Sequence, residues 1–242
     1  MSQSGRVAVV TGSSRGIGYA IAEALVQAGA SVTVSARHAE EVSAAAARLE
    51  ALGTARVLGV PCDVRRPDAV AELIRRTVAE LGGLDILVNN AGVGYFGPVA
   101  DLPVERWQQT IETNLSGVFY CCREAIPHLR RRGGGWIINI ASLAGKNPMA
   151  GGTAYNASKF GLVGFSEALL LDVRHDNIRV SCLMPGSVAT RFNDHTPGDA
   201  DAWKIQPQDI ARVVMDLLEV PARTMPSLVE IRPSRPPRRA GP

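Results

Sequence analysis

No apolar run in this chain approaches the roughly 20 residues that a membrane-spanning helix needs, and the N-terminus carries no basic-then-apolar leader. No membrane partner is expected, and a cytoplasmic location is. Cysteine is scarce. Cys62, Cys121, Cys122 and Cys182 form no C-x-x-C pair, so neither a disulfide framework nor a thiolate metal site is indicated. Cys62, near a strand end, and Cys182, within an apolar strand pattern, read as buried hydrophobes. His38, His128, His175 and His195 are scattered, and no metal is expected. Charge of one sign is lacking too. Lysine and arginine number 26 against 23 acids, a net of +3, and Arg235, Arg238 and Arg239 in the Pro-rich ending supply three positive charges. A near-neutral body gives no electrostatic footprint for nucleic acid, so the expected partner is a small molecule.

What is present is ordinary for a globular protein: 46% hydrophobic and 20% charged residues over 242 positions, enough for one α/β domain with a large core. Strand-like and helix-like segments alternate. Strands are expected at 6–11, 31–35, 56–60, 84–88, 136–141, 178–184 and 228–231. Helices are expected at about 17–28, 40–52, 67–81, 104–129, 153–173 and 207–218. Strict alternation implies an α/β fold, a single-domain doubly wound parallel sheet of Rossmann type with helices on both faces. The domain is placed at 1–232, with 233–242 as a Pro/Arg-rich tail. Ligands in such sheets bind beyond the carboxyl ends of the strands.

The first strand runs into Gly12-Ser13-Ser14-Arg15-Gly16-Ile17-Gly18, and an apolar helix pattern follows. Glycines let a backbone approach a pyrophosphate, and a helix start offers free N–H groups and partial positive charge. Gly12, Ser14, Arg15, Gly16, Ile17 and Gly18 are therefore assigned to a cofactor turn, although the spacing is T-G-x-x-x-G-x-G rather than G-x-G-x-x-G. An acid roughly 20 residues further on would bind the ribose 2′-hydroxyl of NAD. The second strand ends instead on Ala36 and Arg37, with no carboxylate before Glu40. Arg15 and Arg37 suit a 2′-phosphate, so NADP is expected over NAD.

Tyr155 and Lys159 stand four residues apart in the last long helical stretch, which puts them on one face. An ammonium nearby would lower the phenol pKa from its ordinary value of about 10, preparing Tyr155 to exchange a proton with a substrate oxygen. Ser142 adds a hydroxyl that can hold the same oxygen.

With these motifs in order, the chain resembles the short-chain dehydrogenase/reductase family. The resemblance runs from Val7 to about Asp216. It rests on Thr11-Gly12 to Gly18, Asp63, Asn89-Asn90-Ala91-Gly92, Asn114, Ser142, Tyr155 with Lys159, and Pro185-Gly186. Singly, the Asn-rich segment and Pro185-Gly186 also suit plain turns. The resemblance implies that Tyr155 is the general acid/base and that Ser142 orients the carbonyl. Lys159 would tune Tyr155 and hold the nicotinamide ribose, and Asn114 would hold a relay water. Asp63 and Val64 would contact the adenine, and Asn90, Ala91 and Gly92 would line the cofactor trough. Pro185, Gly186, Val188 and Thr190 would hold the nicotinamide and diphosphate side.

The family also implies a homo-oligomer. The ending from Ser227 departs from the Asp-Gly-Gly of many members and leaves dimer or tetramer open. The expected activity is NADP(H)-dependent reduction of a carbonyl to a secondary alcohol, or the reverse. Alternatives are a 3-hydroxy-acid or 3-oxoacyl-thioester enzyme and a non-catalytic NADP-sensing regulator. Gly94, Tyr95, Phe96, Met149, Phe192 and Trp203 are candidates for an apolar pocket. Lys146 and Asn147 are either carboxylate ligands or a solvated loop.

Overall fold

The computed structural model describes residues 2–53 and 55–237. Seven strands form one sheet: β1 (Val7–Thr11), β2 (Ser31–Ser35), β3 (Val57–Gly59), β4 (Ile86–Asn89), β5 (Gly135–Ile140), β6 (Ile178–Pro185) and β7 (Leu228–Ile231). Their spatial order is β3-β2-β1-β4-β5-β6-β7, and every pair is parallel. The helices between them are α1 (Gly16–Gln27), α2 (Ala39–Glu50), α3 (Pro67–Leu81), α4 (Val104–Ile111), α5 (Gly117–Arg131), α6 (Thr153–Val173) and α7 (Pro207–Glu219).

Apolar runs in β1 and β5 make sense only in a sheet covered on both faces. Side chains alternate across the pleat, and the packing follows. Ala8 and Val10 join a core with α1, α2 and α7, while Val9 joins one with α3, α5 and α6. In β5, Trp136, Ile138 and Ile140 face the first core and Ile137 the second. Strand order reverses between β1 and β4, and the loops that follow these two strands open the crevice expected at such a switch point.

Two sequence expectations need correction. The fourth strand begins two residues late, at Ile86. Asp85 marks the edge of the ladder: its N–H still donates to the Val7 carbonyl at 2.8 Å and its carbonyl accepts the Trp136 N–H at 2.9 Å, while its carboxylate accepts the Val7 N–H at 2.8 Å and pairs with Arg132 at 2.8 Å. The single helix expected over 104–129 is instead α4, a π turn over Glu112–Ser116, and α5. Gly117, just after that turn, lets the helix press on the loop after β3: a Cβ there would lie 2.9 Å from Val64 Cγ2. Arg238 and Arg239 of the expected tail lie outside the described residues. No helix among the described residues is long and apolar enough to cross a membrane.

Candidate active site

The glycine turn crosses the carboxyl edge between Thr11, the end of β1, and Gly16, the start of α1. Gly12 and Gly16 hold φ of +64° and +61°, where a Cβ is strained. Gly12 and Gly18 also permit close approach. A Cβ on Gly12 would lie 2.8 Å from Ala91 Cα, and one on Gly18 would lie 2.5 Å from the Gly12 carbonyl oxygen. Thr11 Oγ1 accepts the N–H groups of Asn90 and Ala91 at 3.0 and 3.1 Å, and Asn90 Nδ2 donates back to the carbonyls of Thr11 and Gly12 at 3.0 Å each. The glycine turn and the Asn90-Ala91-Gly92 loop are thus one braced unit. The first turn of α1 has no side-chain cap and no acid, so its N–H groups remain available to an anion. A cradle with no room for a Cβ beside an uncapped helix start fits the pyrophosphate of a dinucleotide.

Opposite this cradle, Pro185 closes β6 against Ile231, Gly186 N donates to the Ile231 carbonyl at 2.8 Å, and Val188 bridges to Ile205. A Cβ on Gly16 would stand 3.6 Å from Thr190 Cγ2, so Thr190 faces the glycine turn across the cleft. Within the segment beyond it, Asp201 gathers His195 at 2.5 Å and Lys204 at 2.6 Å. Lys204 first, then His195, hold that carboxyl down at about 2.

At the far end of the cleft, Arg15 and Arg37 are exposed and have no ion pair among the described residues. The Ser14 hydroxyl donates to Glu41 at 3.0 Å, which brings in a carboxylate the sequence reading did not anticipate. Asp63 is held by Arg65 in a two-pronged pair, with Nε at 2.9 and 3.0 Å from the two carboxylate oxygens. That hydrogen bonding is the main cause of its lowered pKa, with Arg37 a smaller contributor. Val64, beside it, is buried against Gly117.

Helix α6 carries Tyr155 and Lys159 on one face, as the spacing predicts. Ser142 caps a 3-10 turn after β5, its Oγ accepting the Ala144 N–H at 3.1 Å, and its hydroxyl lies near enough to the Tyr155 phenol to pull that group's pKa down. Asn114 sits in the π turn, wholly buried. Its Oδ1 accepts the Val93 N–H at 2.8 Å, and its Nδ2 donates to the Val93 carbonyl at 2.8 Å and to Ser158 Oγ at 3.0 Å. Ser158 in turn donates to the Tyr155 carbonyl at 2.8 Å. Gly92 lies between Asn114 and Lys159. A Cβ on it would be 3.4 Å from Asn114 Oδ1 and 3.8 Å from Lys159 Nζ.

The electrostatics reverse one expectation. Tyr155 was expected to have a lowered pKa, yet burial raises it, with the Ser142 hydroxyl pulling the other way. Lys159 does not offset the burial because its ammonium turns to the Ile140 carbonyl at 3.0 Å and stands 5.7 Å from the Tyr155 ring centroid. Burial also brings Lys159 itself down to about 8.

The sequence model described as short chain dehydrogenase matches residues 6–200. The chain belongs to this family. This short-chain dehydrogenase is 39% identical over 189 residues to "Dehydrogenase/reductase SDR family member 4" of Oryctolagus cuniculus, covering 78% of this chain and 72% of that one. It is 38% identical over 212 residues to D-beta-hydroxybutyrate dehydrogenase of Rhizobium meliloti, covering 87% and 82%. Its fold superposes on a metagenomic short-chain oxidoreductase solved in complex with NADP, with a TM-score of 0.85, 39% identity and coverage of 98% and 100%.

Sequence reasoning on this short-chain dehydrogenase missed Ser158, Glu41 and Arg65. Ser158 had a signal, being three residues after Tyr155 on the same helix face. Glu41 and Arg65 had none, since their partners are fixed by loop geometry. Of the pocket candidates, Gly94, Phe96 and Phe192 gather at Tyr155. Tyr95 turns to Arg106 and Gln109, and Trp203 to Lys204. Lys146 is paired with Glu230 at 3.0 Å. Two surface grooves, between α1 and α7 and between α5 and α6, contain none of the motif residues.

Proposed function

We propose that this short-chain dehydrogenase reduces a ketone or aldehyde to an alcohol with NADPH, or runs the reverse reaction with NADP⁺. The observation that carries the reading is the meeting of two hydroxyls, Ser142 and Tyr155, above a buried Lys159 at the mouth of the glycine cradle. Bound NADPH would supply the hydride to the carbonyl carbon. The protein's own part is to hold the carbonyl oxygen between the two hydroxyls, with Ser142 orienting it and Tyr155 delivering the proton. A phenol whose pKa burial raises stays protonated at neutral pH, which suits the donor needed for reduction. Lys159 and Asn114 flank the gap at Gly92, which would take a water on the proton's route back from solvent.

Preference for NADP rests on Arg15 and Arg37, exposed cations with no carboxylate paired to either among the described residues. The relative solved with NADP supports it. Gly12, Ser14, Gly16, Ile17 and Gly18 would hold the phosphates. Asp63 and Val64 would sit at the adenine, Asn90, Ala91 and Gly92 along the trough, and Pro185, Gly186, Val188 and Thr190 at the nicotinamide end. A homo-oligomer is also proposed, supported by exposed Phe119 and Leu171 on the outer faces of α5 and α6.

The test is NADPH and NADH oxidation, followed by absorbance, against ketones, aldehydes and 3-oxo acids. Tyr155→Phe serves as control. The expected result is NADPH-preferring turnover that vanishes in the variant while NADPH binding persists. Turnover surviving in Tyr155→Phe would overturn the proton assignment. The relationship to a hydroxybutyrate dehydrogenase favours a second reading, a short 3-hydroxy acid as substrate. Lys146, the cation just past Ser142, is occupied by Glu230 and argues against it.

A further inference from the structure

Three large apolar side chains at the Tyr155 cleft are exposed: Phe96 at 43%, Met149 at 50% and Phe192 at 38%. The Phe96 ring centroid lies 5.4 Å from that of Tyr155 and the Phe192 centroid 5.8 Å, with interplanar angles of 55° and 53°. One ring comes from the loop after β4 and the other from the segment after β6, so the phenol is flanked by two separate loops. The Phe96 loop is tied to the loop before α6, where Met149 lies, by the Gly97 N–H donating to the Gly151 carbonyl at 2.8 Å.

The closeness of the two phenylalanines depends on one missing atom. A Cβ at Gly94 would lie 2.7 Å from Phe192 Cζ and 3.0 Å from Phe96 Cε2. Gly94 itself is buried and its φ is not positive, so glycine is required there by the rings rather than by the backbone. Exposed aromatic rings leave apolar area in water, which is unfavourable unless something covers it. The cations nearby are turned away. Lys146 pairs with Glu230, and Arg106 donates to the Tyr95 hydroxyl at 2.7 Å. Arg191, next in the chain to Phe192, has no ion pair among the described residues and supplies the rival case.

We propose that Phe96 and Phe192 select the substrate by gripping its apolar substituent, so that the preferred substrate is a ketone or aldehyde bearing an uncharged aryl group, and that Gly94 positions Phe192 for this task. The proposal rests on the carbonyl-reductase reading and names its substrate class. An aryl ring packed edge-to-face against both phenylalanines covers their exposed faces and sets its carbonyl beside the two hydroxyls. A carboxylate in the same place would lose water, and among the described residues Arg191 is the exposed cation without an ion pair beside Phe192 that could offset it.

The experiment measures kcat and KM of the full chain with NADPH for acetophenone, 2-butanone and acetoacetate. It uses the wild type, Phe96→Ala, Phe192→Ala, Phe192→Leu, Gly94→Ala, the Gly94→Ala/Phe192→Ala double variant and Arg191→Ala. Melting temperature confirms that each folds. Acetophenone is expected to be preferred. In Phe96→Ala and Phe192→Ala the acetophenone-to-butanone ratio of kcat/KM should fall about ten-fold, mostly through KM, and Phe192→Leu should restore part of it. Gly94→Ala should reproduce most of Phe192→Ala and add little in the double variant, where the two contacts under 3.0 Å to Phe192 are gone and only the 3.0 Å approach to Phe96 Cε2 is left.

An unchanged ratio in the phenylalanine variants overturns the proposal. So does a preference for acetoacetate that Arg191→Ala abolishes, and in both cases carbonyl reduction itself stands. If the wild type turns over none of the three beyond Tyr155→Phe, the reductase reading fails. The grip is then judged by acetophenone binding alone. A melting-temperature rise present in the wild type and missing in Phe192→Ala upholds it, and equal shifts refute it.

Discussion

Lys159 gives its ammonium to the Ile140 carbonyl at 3.0 Å rather than to the Tyr155 phenol four residues earlier on the same helix. The lysine is therefore anchored to the end of β5, and a phenol in a buried setting keeps its proton. The cost falls on Lys159, whose charge is held without an acidic partner among the described residues.

Burial puts Lys159 at about 8, against 10.5 ordinarily. Between those values the unfolded chain holds a proton that the folded protein has shed, so this group's contribution to stability rises with pH across that window and is unfavourable below it. The shift corresponds to roughly 3 kcal/mol at neutral pH, of which about 1–2 kcal/mol is offset by losing the Ile140 hydrogen bond on substitution. Lys159→Met is expected to raise the melting temperature at pH 7 by roughly 3–6 °C, with the gain shrinking toward pH 10. Turnover should be lost. A melting temperature at pH 7 below that of the wild type would contradict this.

Gly92→Ala tests the gap between Asn114 and Lys159. The added methyl meets Asn114 Oδ1 at 3.4 Å and Lys159 Nζ at 3.8 Å, ordinary contact distances, so it fills space without strain. Melting temperature should hold while kcat falls about ten-fold or more, as expected when a proton route is blocked. An unchanged kcat would show that no water is needed there.

Gly18→Ala should do the opposite and damage the fold first. Its Cβ would run into Asn90 Nδ2 and lie 2.5 Å from the Gly12 carbonyl oxygen, and both neighbours are braced through Thr11. Destabilisation of about 2–3 kcal/mol is expected, together with weakened NADPH binding in a fluorescence titration. A variant as stable as the wild type would mean that the cradle is looser than its hydrogen bonds imply.

Coenzyme choice should move in two directions. Arg37→Ala is expected to weaken NADPH binding about ten-fold while leaving NADH little changed, because a charge-assisted contact to the 2′-phosphate is lost. Glu41→Gln removes the carboxylate that holds Ser14 and should favour NADPH. Titrations of both coenzymes by fluorescence decide it. Parallel losses for NADPH and NADH in Arg37→Ala would assign that arginine elsewhere.

The five inner strands are readable from the chain because buried parallel strands are short apolar runs, and the two half-exposed edge strands, β3 and β7, are readable as the β-rich stretches left between helix patterns. The bounds of α6 are read without error, and with them the Tyr155–Lys159 face. What escapes the sequence is set by distance in space. The Ser14–Glu41 bond joins residues 27 apart, and the Asp63–Arg65 pair depends on a loop bend. The direction of the Tyr155 shift depends on burial, which no local spacing reveals. The π turn escapes for another reason: one extra residue in a helix changes neither its composition nor its polarity.

That extra residue acts as a phase shim. At 3.6 residues per turn, one residue is worth about 100° of rotation. The π turn over Glu112–Ser116 therefore lets α4 and α5 keep separate angular settings along what is almost one rod. Asn114 can face Val93 and Ser158 while Val118, Cys121, Cys122 and Ala125 still point into the sheet. Deleting a single residue here would make a more regular helix and a worse protein: either Asn114 or the apolar row of α5 would be turned a quarter-circle from its partners.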